Sequence, residues 1–275
     1  MHQKDLIIKK TFTIAYQNHQ KSNFKVAENL YKKILRIDPH HFESTFYLAI
    51  LLLGANNFDE AKKLFQKTIQ IQPDYAPAYN NLGVVFNALK ETQKAIDFYR
   101  KAIQIQPNYA HAHNNLGMVF RELGEFGNAI SCFKMAIKIQ TNYVAAHHNL
   151  GTVFQKMREH QKAISYFQKA IRIKLNHAVT HYNLGVVFQE LGEFEKAINF
   201  YKKAVTYYQK GNQQGKDFAN TYCNLGNIEK DLGEFKNASV YYQKAIEVQP
   251  NHVSAHNNLG LVFKDLGEFK KAINS

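Results

Sequence analysis

The chain has 275 residues, of which 45% are hydrophobic, and a formal net charge of +13. This composition supports a sizeable core and excludes collagenous, intrinsically disordered and disulfide-stapled chains. The N-terminal segment MHQKDLIIKK lacks the apolar run of a signal peptide and no later segment approaches a membrane span, so we expect a cytoplasmic or nuclear protein without a membrane contact.

A unit of two helices recurs along the chain with a fixed period. The triplet Asn-Leu-Gly begins at positions 81, 115, 149, 183, 224 and 258, at intervals of 34 residues apart from one of 41. In chain order, the predicted repeats are residues 8–41, 42–75, 76–109, 110–143, 144–177, 178–218, 219–252 and 253–275. The first two are divergent, the last is incomplete, and together they predict a single array.

Two runs of helical periodicity lie within each repeat. In the repeat at 76–109, apolar and small residues recur at steps of three and four between positions 79 and 86, and again between positions 95 and 103. Such steps place the residues on one face of a helix. Each repeat is therefore predicted to be a helical hairpin.

Glycine and proline mark the ends of these helices. The turn inside the hairpin carries Gly124, Gly192, Gly233 and Gly267, and the end of the second helix is followed by Pro39, Pro73, Pro107 and Pro250. Glycine adopts the backbone conformation that a helix end requires, and proline cannot continue a helix. The repeat at 178–218 carries seven extra residues around the segment GNQQGKD, which should lengthen a helix or a loop.

Small residues recur where the two helices must approach each other. A glycine stands at positions 83, 117, 151, 185, 226 and 260, and an alanine at positions 95, 129, 163, 197, 238 and 272. With the repeat length, the aromatic residues and the prolines, this pattern resembles the tetratricopeptide repeat family over residues 8–275. Two departures are histidine or tyrosine in place of the family's frequent tryptophan, and Glu229 where other repeats have phenylalanine. The resemblance implies an all-α fold, a right-handed α-α superhelix (solenoid) of tandem helical hairpins.

The resemblance also implies that the first helices line a concave face, which would carry the triplet asparagines. These are Asn81, Asn115, Asn149, Asn183, Asn224 and Asn258. Asparagine is a mediocre helix former, and its amide both donates and accepts, which suits a bound peptide backbone. The alternative is that the amides bond the adjacent repeat. Selectivity would come from the residues directly before this row, which include Asn80, Asn114, His148, Tyr182 and Asn257.

A scaffold or adaptor that holds a protein or peptide segment along this groove is the leading functional hypothesis. The inner positions 77, 111, 145, 179, 220 and 254 hold no lysine or arginine, so we expect no carboxylate clamp. The segments AYNNLG and AHNNLG also resemble the non-catalytic arm of O-linked N-acetylglucosamine transferases, which presents protein substrates. That alternative requires a catalytic domain after Ser275.

The positive charge makes nucleic acid a third candidate partner. However, the basic residues are spread along the chain, and lysine greatly outnumbers arginine. Lysine lacks the planar fork with which arginine binds phosphate. The pattern favours a solvated outer helix face.

No catalytic residue, metal ligand, cofactor or small-molecule substrate is predicted. Most of the thirteen histidines recur one repeat apart. Neighbouring helices lie about 10 Å apart, too far for such histidines to share a metal. Cys132 and Cys223 match no metal spacing and are expected to be inert buried thiols. The incomplete repeat at 253–275 leaves an apolar edge, through which the chain could associate with a second copy or continue into a longer protein.

Overall fold

The computed structural model describes residues 2–213 and 215–273, and within these residues every regular element is an α-helix. The helices form two compact units, one up to Thr141 and the other from Asn142. The predicted all-α fold of tandem helical hairpins is confirmed.

The unit up to Thr141 contains four hairpins. Its helices are α1 (His2–Gln20), α2 (Phe24–Ile37), α3 (Phe42–Gly54), α4 (Phe58–Ile71), α5 (Ala76–Ala88), α6 (Thr92–Ile105), α7 (Ala110–Glu122) and α8 (Phe126–Ile139). Each second helix packs on the first helix of its own hairpin, and α2, α4 and α6 also pack on the first helix of the next hairpin. The first helices α3, α5 and α7 also touch in succession, so they lie side by side.

The unit from Asn142 repeats this arrangement. Its helices are α9 (Val144–Lys156), α10 (His160–Ile173), α11 (Ala178–Glu190), α12 (Phe194–Lys210), α13 (Lys216–Asp231), α14 (Phe235–Val248), α15 (Val253–Asp265) and α16 (Phe269–Ile273). Here the first helices α9, α11, α13 and α15 touch in succession. Near the end of this unit Val253, Leu261 and Phe269 are exposed, and association of the chain with a second copy stays a prediction.

In five hairpins the two helices meet where a glycine faces an aromatic ring. The rings of Tyr99, Phe133, Phe167, Tyr201 and Tyr242 are at most 2% exposed. A methyl group added at Gly83, Gly117, Gly151, Gly185 or Gly226 would lie 2.5–2.8 Å from a carbon of the facing ring. In the first two hairpins Ala15 and Ala49 occupy the corresponding position and are completely buried. The recurrent glycine therefore lets a bulky ring fill the space between two closely packed helices.

The turns inside the hairpins use a left-handed backbone residue, as the glycines predicted. Gly124, Gly192, Gly233 and Gly267 have φ between 74° and 83°. In four other hairpins a residue with a side chain adopts φ between 58° and 64° at this place, namely Ser22, Asn56, Lys90 and Arg158. The four prolines each follow a second helix by two residues, because those helices end at Ile37, Ile71, Ile105 and Val248.

The seven extra residues of the repeat at 178–218 are distributed over three elements. Second helix α12 has 17 residues and first helix α13 has 16, against 14 in α10 and 13 in α11. The connection between α12 and α13 contains the one extra residue that remains. Helix α13 thus begins at Lys216, three residues before the predicted repeat start at Ala219, and follows Gly215 with φ of 143°. The insertion lengthens both helices rather than forming a long loop.

Candidate partner-binding face

The triplet asparagines lie in the middle of the first helices in both units. Asn81 and Asn115 belong to the first unit, and the second unit holds Asn149, Asn183, Asn224 and Asn258. All of them are half-buried except Asn149, which is buried. Within each unit these side chains are therefore placed on neighbouring helices, and a continuous row along the whole chain stays a prediction.

The amides of Asn115, Asn224 and Asn258 bond the preceding repeat. The Nδ2 atom of Asn115 donates to Oδ1 of Asn80 at 3.0 Å. In the second unit Asn258 donates to Oδ1 of Asn227 at 2.8 Å, and Asn224 donates to the hydroxyl of Tyr201 at 3.1 Å. Each bond joins a first helix to the repeat before it, which is the alternative role that the sequence left open.

Asn81 and Asn183 differ from these three. Within residues 2–213 and 215–273, neither amide makes a side-chain hydrogen bond, although both lie inside a helix and are half-buried. Asparagine inside a helix costs roughly half a kcal/mol relative to alanine. Because no internal bond offsets that cost, the structure gives these two amides no stabilising role.

The residues directly before the triplets differ from one another in exposure. Asn80 and Asn114 are only 5% and 3% exposed, whereas His148 and Tyr182 are half-buried and Asn257 is exposed. The Nδ1 atom of His148 lies 2.8 Å from the hydroxyl of Thr180 in the next repeat. These positions therefore mix side chains that join helices with side chains that a ligand could reach.

Tyrosine hydroxyls link several of these polar side chains, which the sequence analysis missed. The hydroxyl of Tyr201 donates to Oε1 of Gln189 at 2.8 Å while it accepts from Asn224. The hydroxyl of Tyr242 donates to Oδ1 of Asn227 at 2.9 Å. Burial raises the pKa of both phenols, so they stay protonated. The available signal was tyrosine at a core position where the repeats with Phe133 and Phe167 have phenylalanine, together with Asn227 where Val84 and Val186 stand in other repeats.

In four repeats, the side chain that replaces the family's frequent tryptophan contacts a backbone carbonyl six residues earlier, just before its own helix. The hydroxyl of Tyr79 donates to the carbonyl of Pro73 at 3.0 Å, and the imidazoles of His113, His181 and His256 contact the carbonyls of Pro107, Leu175 and Pro250 through Nε2. Because a carbonyl only accepts, Nε2 must carry the proton in each case. Burial lowers the pKa of His181, which keeps its ring neutral.

Four lysines on the hairpin surface make the same two contacts, one with a glutamate and one with an aromatic ring. In four repeats, a lysine pairs with the glutamate three residues earlier and lies over a phenylalanine of the first helix at 5.3–5.4 Å from the ring centre; the lysines are Lys94, Lys162, Lys196 and Lys271. Where Glu229 replaces the phenylalanine, Asn237 replaces the lysine and donates to the Glu229 carboxylate at 3.4 Å. The charges of these four lysines are therefore paired with carboxylates of their own hairpins.

Neither cysteine is an activated thiol. Burial raises the pKa of Cys132 and Cys223 to about 11, so both thiols are protonated. Within residues 2–213 and 215–273, no three histidine, cysteine, aspartate or glutamate side chains come close enough together to hold a metal ion. None of the helices described there is both long and apolar enough to cross a membrane.

Models of known repeat families match most of the chain. A model described as "Tetratricopeptide repeat" matches residues 74–142, 108–176 and 142–210, a second one of that description matches residues 19–83, and one described as "TPR repeat" matches residues 226–267. No match was found among curated proteins.

Solved structures share the fold at low sequence identity. A crystal structure of MamA is 28% identical, with a TM-score of 0.51, over 60% of this chain and 96% of its own. The pilF protein of Pseudomonas aeruginosa is 23% identical, with a TM-score of 0.67, over 78% of this chain and 94% of its own. A chain of the APC/C hetero-tetramer Cut9–Hcn1 is 20% identical, with a TM-score of 0.69, over 90% of this chain and 48% of its own.

Proposed function

The chain belongs to the tetratricopeptide repeat family, and from that premise we propose that it is a protein-interaction scaffold. It binds an extended or helical segment of a protein partner along the face formed by its first helices. The observation that carries this proposal is the pair Asn81 and Asn183, half-buried amides with no bond to the rest of the described protein. An amide in this state offers two N–H donors and a carbonyl acceptor to a ligand backbone.

The spacing of the first helices supports binding of a peptide backbone. Packed helices lie about 8–10 Å apart, and an extended chain advances about 3.3 Å per residue. One asparagine would therefore meet roughly every third residue of the ligand. The asparagines that bond the preceding repeat can take part as well. Their NH₂ group has two N–H donors, and only one of them donates to that repeat.

The sharpest test of this proposal replaces Asn81 and Asn183 together by alanine. Since neither amide bonds the described protein, we expect the helicity and the unfolding midpoint to stay the same or rise slightly. Recovery of the specific partner should fall about three- to tenfold, which is the loss expected for one or two hydrogen bonds. Quantitative mass spectrometry of pull-downs with the full chain, followed by titration of the recovered partner, measures this change.

Two exposed asparagines outside the first helices provide the matched control. Asn108 and Asn142 lie in the connections between hairpins, and alanine at both positions should leave partner recovery unchanged. If the pair Asn81→Ala and Asn183→Ala recovers the same partners in the same amounts as the wild type, the asparagines do not bind the partner. The proposal would then be wrong in its choice of residues.

A further inference from the structure

A cavity of about 420 Å³ lies beside the insertion in the unit from Asn142. Its wall is formed by the lengthened part of α12, the connection after it, the start of α13 and the end of α14. Ligand pockets in proteins commonly measure ~300–1,000 Å³. A second cavity, of about 370 Å³, adjoins it and shares Tyr208, Gln213 and Phe218. A cavity of about 590 Å³ also lies at the equivalent place in the first unit, where Ile103, His113 and Met135 line it. The seven extra residues thus change the lining of this place, to which they contribute Tyr208 and Phe218.

We propose that this cavity is a specificity pocket for a neutral aromatic side chain with a hydrogen-bonding group, tyrosine above all, of the bound partner. This inference rests on the proposed function, because it assigns the occupant to a protein ligand. It adds a site that is chemically different from the asparagines and is carried by other elements.

The floor of the pocket is aromatic. The rings of Tyr208 and Phe218 are 5.4 Å apart, and those of Phe218 and Tyr222 are 5.2 Å apart, both in tilted arrangements. Each of the three residues is only 6–7% exposed. Aromatic rings attract a further ring in offset or edge-to-face geometry by about 0.5–1.5 kcal/mol beyond the burial of area. A planar occupant therefore fits this floor better than a branched aliphatic one.

The hydroxyl of Tyr208 is the unusual polar atom of the pocket. It is buried and has no hydrogen-bond partner within residues 2–213 and 215–273. An unsatisfied buried hydroxyl costs about 1–3 kcal/mol, so most such groups have a partner in the functional state. By contrast, the hydroxyl of Tyr222 accepts from Nε2 of Gln209 at 3.2 Å. The pocket thus has one missing hydrogen bond, which a ligand hydroxyl would supply.

The charges around the pocket favour a neutral occupant. Lys244 and Glu247 both line the cavity, so that one positive and one negative group face the same space. The Nζ atom of Lys244 already lies 5.9 Å from the ring centres of Tyr222 and Tyr241. The two charges cancel, so the pocket has no net charge that would select an ion, and Lys244 already lies near the aromatic rings that a cationic ligand would need.

The rim of the pocket consists of flexible side chains. Gln209, Asn212 and Gln213 are exposed and line the cavity. The Tyr208 hydroxyl is covered in this structure, so an occupant must displace one of these rim side chains to reach it.

Titration with amino-acid amides tests the pocket without any partner protein. The probes are N-acetyl-tyrosinamide, N-acetyl-phenylalaninamide and N-acetyl-lysinamide, and the readout is the methyl resonances of Val248, which lines the cavity. We expect saturable shifts with the tyrosine amide, and an affinity about three- to tenfold higher than that of the phenylalanine amide, as one hydrogen bond predicts. The lysine amide should cause no saturable shift.

The variant Tyr208→Phe should remove the preference for the tyrosine amide over the phenylalanine amide. Tyr207→Phe is the matched control, because it removes a hydroxyl from the adjacent residue, which does not line this cavity, and should leave the preference unchanged. Absence of Val248 shifts, equal affinities for the tyrosine and phenylalanine amides, or an unchanged preference in Tyr208→Phe would each overturn the proposal. These titrations use no partner protein, so they test the pocket separately from the asparagines. A negative result would contradict the pocket proposal and leave the binding role of Asn81 and Asn183 untouched, and failure of the pull-down test would leave the pocket proposal untouched.

Discussion

At the scale of single residues, the closest packing in the hairpins occurs between a glycine and an aromatic ring. A methyl group at Gly185 would lie 2.5 Å from two carbons of the Tyr201 ring, which is itself completely buried. The ring cannot move away, because it fills the space between two helices. The recurrent glycine is therefore a packing requirement of the helix pair and has no role at the helix end.

The substitution Gly185→Ala tests this requirement. Overpacking in a well-packed core costs about 1–3 kcal/mol, and we expect a loss of this size in the free energy of unfolding. Gly127→Ala is the matched control, since this glycine also lies in a helix but has open space around its Cα atom. Alanine there should stabilise the protein by about 0.5–1 kcal/mol. Chemical denaturation measures both values, and a stabilised Gly185→Ala variant would contradict the packing argument.

His181 predicts a pH dependence of stability. Its ring is 1% exposed, and burial lowers its pKa below the ordinary 6.5. The unfolded chain therefore binds this proton more readily than the folded chain. The stabilising contribution of the neutral ring is complete above about pH 6.5 and is lost as the pH falls through the folded pKa. Burial lowers the pKa of His177 as well, which adds to the same effect.

Unfolding midpoints measured between pH 7.5 and pH 5 should thus fall with acidification. His181→Tyr should make this fall shallower, because Tyr79 shows that a tyrosine hydroxyl can donate to the same type of carbonyl. Identical pH profiles for the variant and the wild type would mean that His181 does not couple to folding.

At the scale of helices, the first and second helices are joined by polar contacts as well as by the core. The hydroxyl of Tyr201 in α12 bonds Gln189 in α11 and Asn224 in α13. One phenol thus connects three consecutive helices across two hairpins. Neutral hydrogen bonds contribute about 0.5–1.5 kcal/mol each, so the group is a substantial part of the coupling between these repeats.

A double-mutant cycle measures this coupling. We expect Tyr201→Phe to cost about 1–2 kcal/mol and Asn224→Ala about 1 kcal/mol, because each loses its bonds in this group. The double variant should lose less than the sum, with an interaction energy of about 0.5–1.5 kcal/mol. Tyr201→Phe combined with Asn258→Ala serves as the control, since these two residues share no bond and their effects should add. Additivity in the first cycle would rule out the coupling.

The helices themselves were predictable, and their polar links were not. The period of 34 residues places six of the first-helix starts correctly, from Phe42 to Ala178 and again at Val253. The glycine turns and the prolines also predict the helix ends, because backbone conformation there depends on local chemistry. By contrast, the bond of Asn227 to Asn258 depends on two side chains 31 residues apart, and in no other triplet-bearing repeat does an asparagine occupy the position of Asn227. A periodic pattern describes what the repeats share, and this contact arises where one repeat differs.

At the scale of the whole molecule, the insertion is the main departure from the repeat. The sequence predicted that seven residues would lengthen a helix or a loop, and the structure distributes them so that both helices extend by three residues. The two extended helix ends contribute Tyr208 and Phe218 to the pocket. The position of an insertion could be predicted from the spacing of the triplets, whereas the aromatic lining of the cavity depends on how the added turns pack.

The bonds that Asn115, Asn224 and Asn258 donate run the same way, from a residue to the repeat before it. Two of these amides lie on the neighbouring first helices α13 and α15, so they donate in the same direction along the stack. A polypeptide has its own polarity, with N–H and C=O groups in a set order from N- to C-terminus. Such a binding face would distinguish a segment from the same segment laid down in reverse.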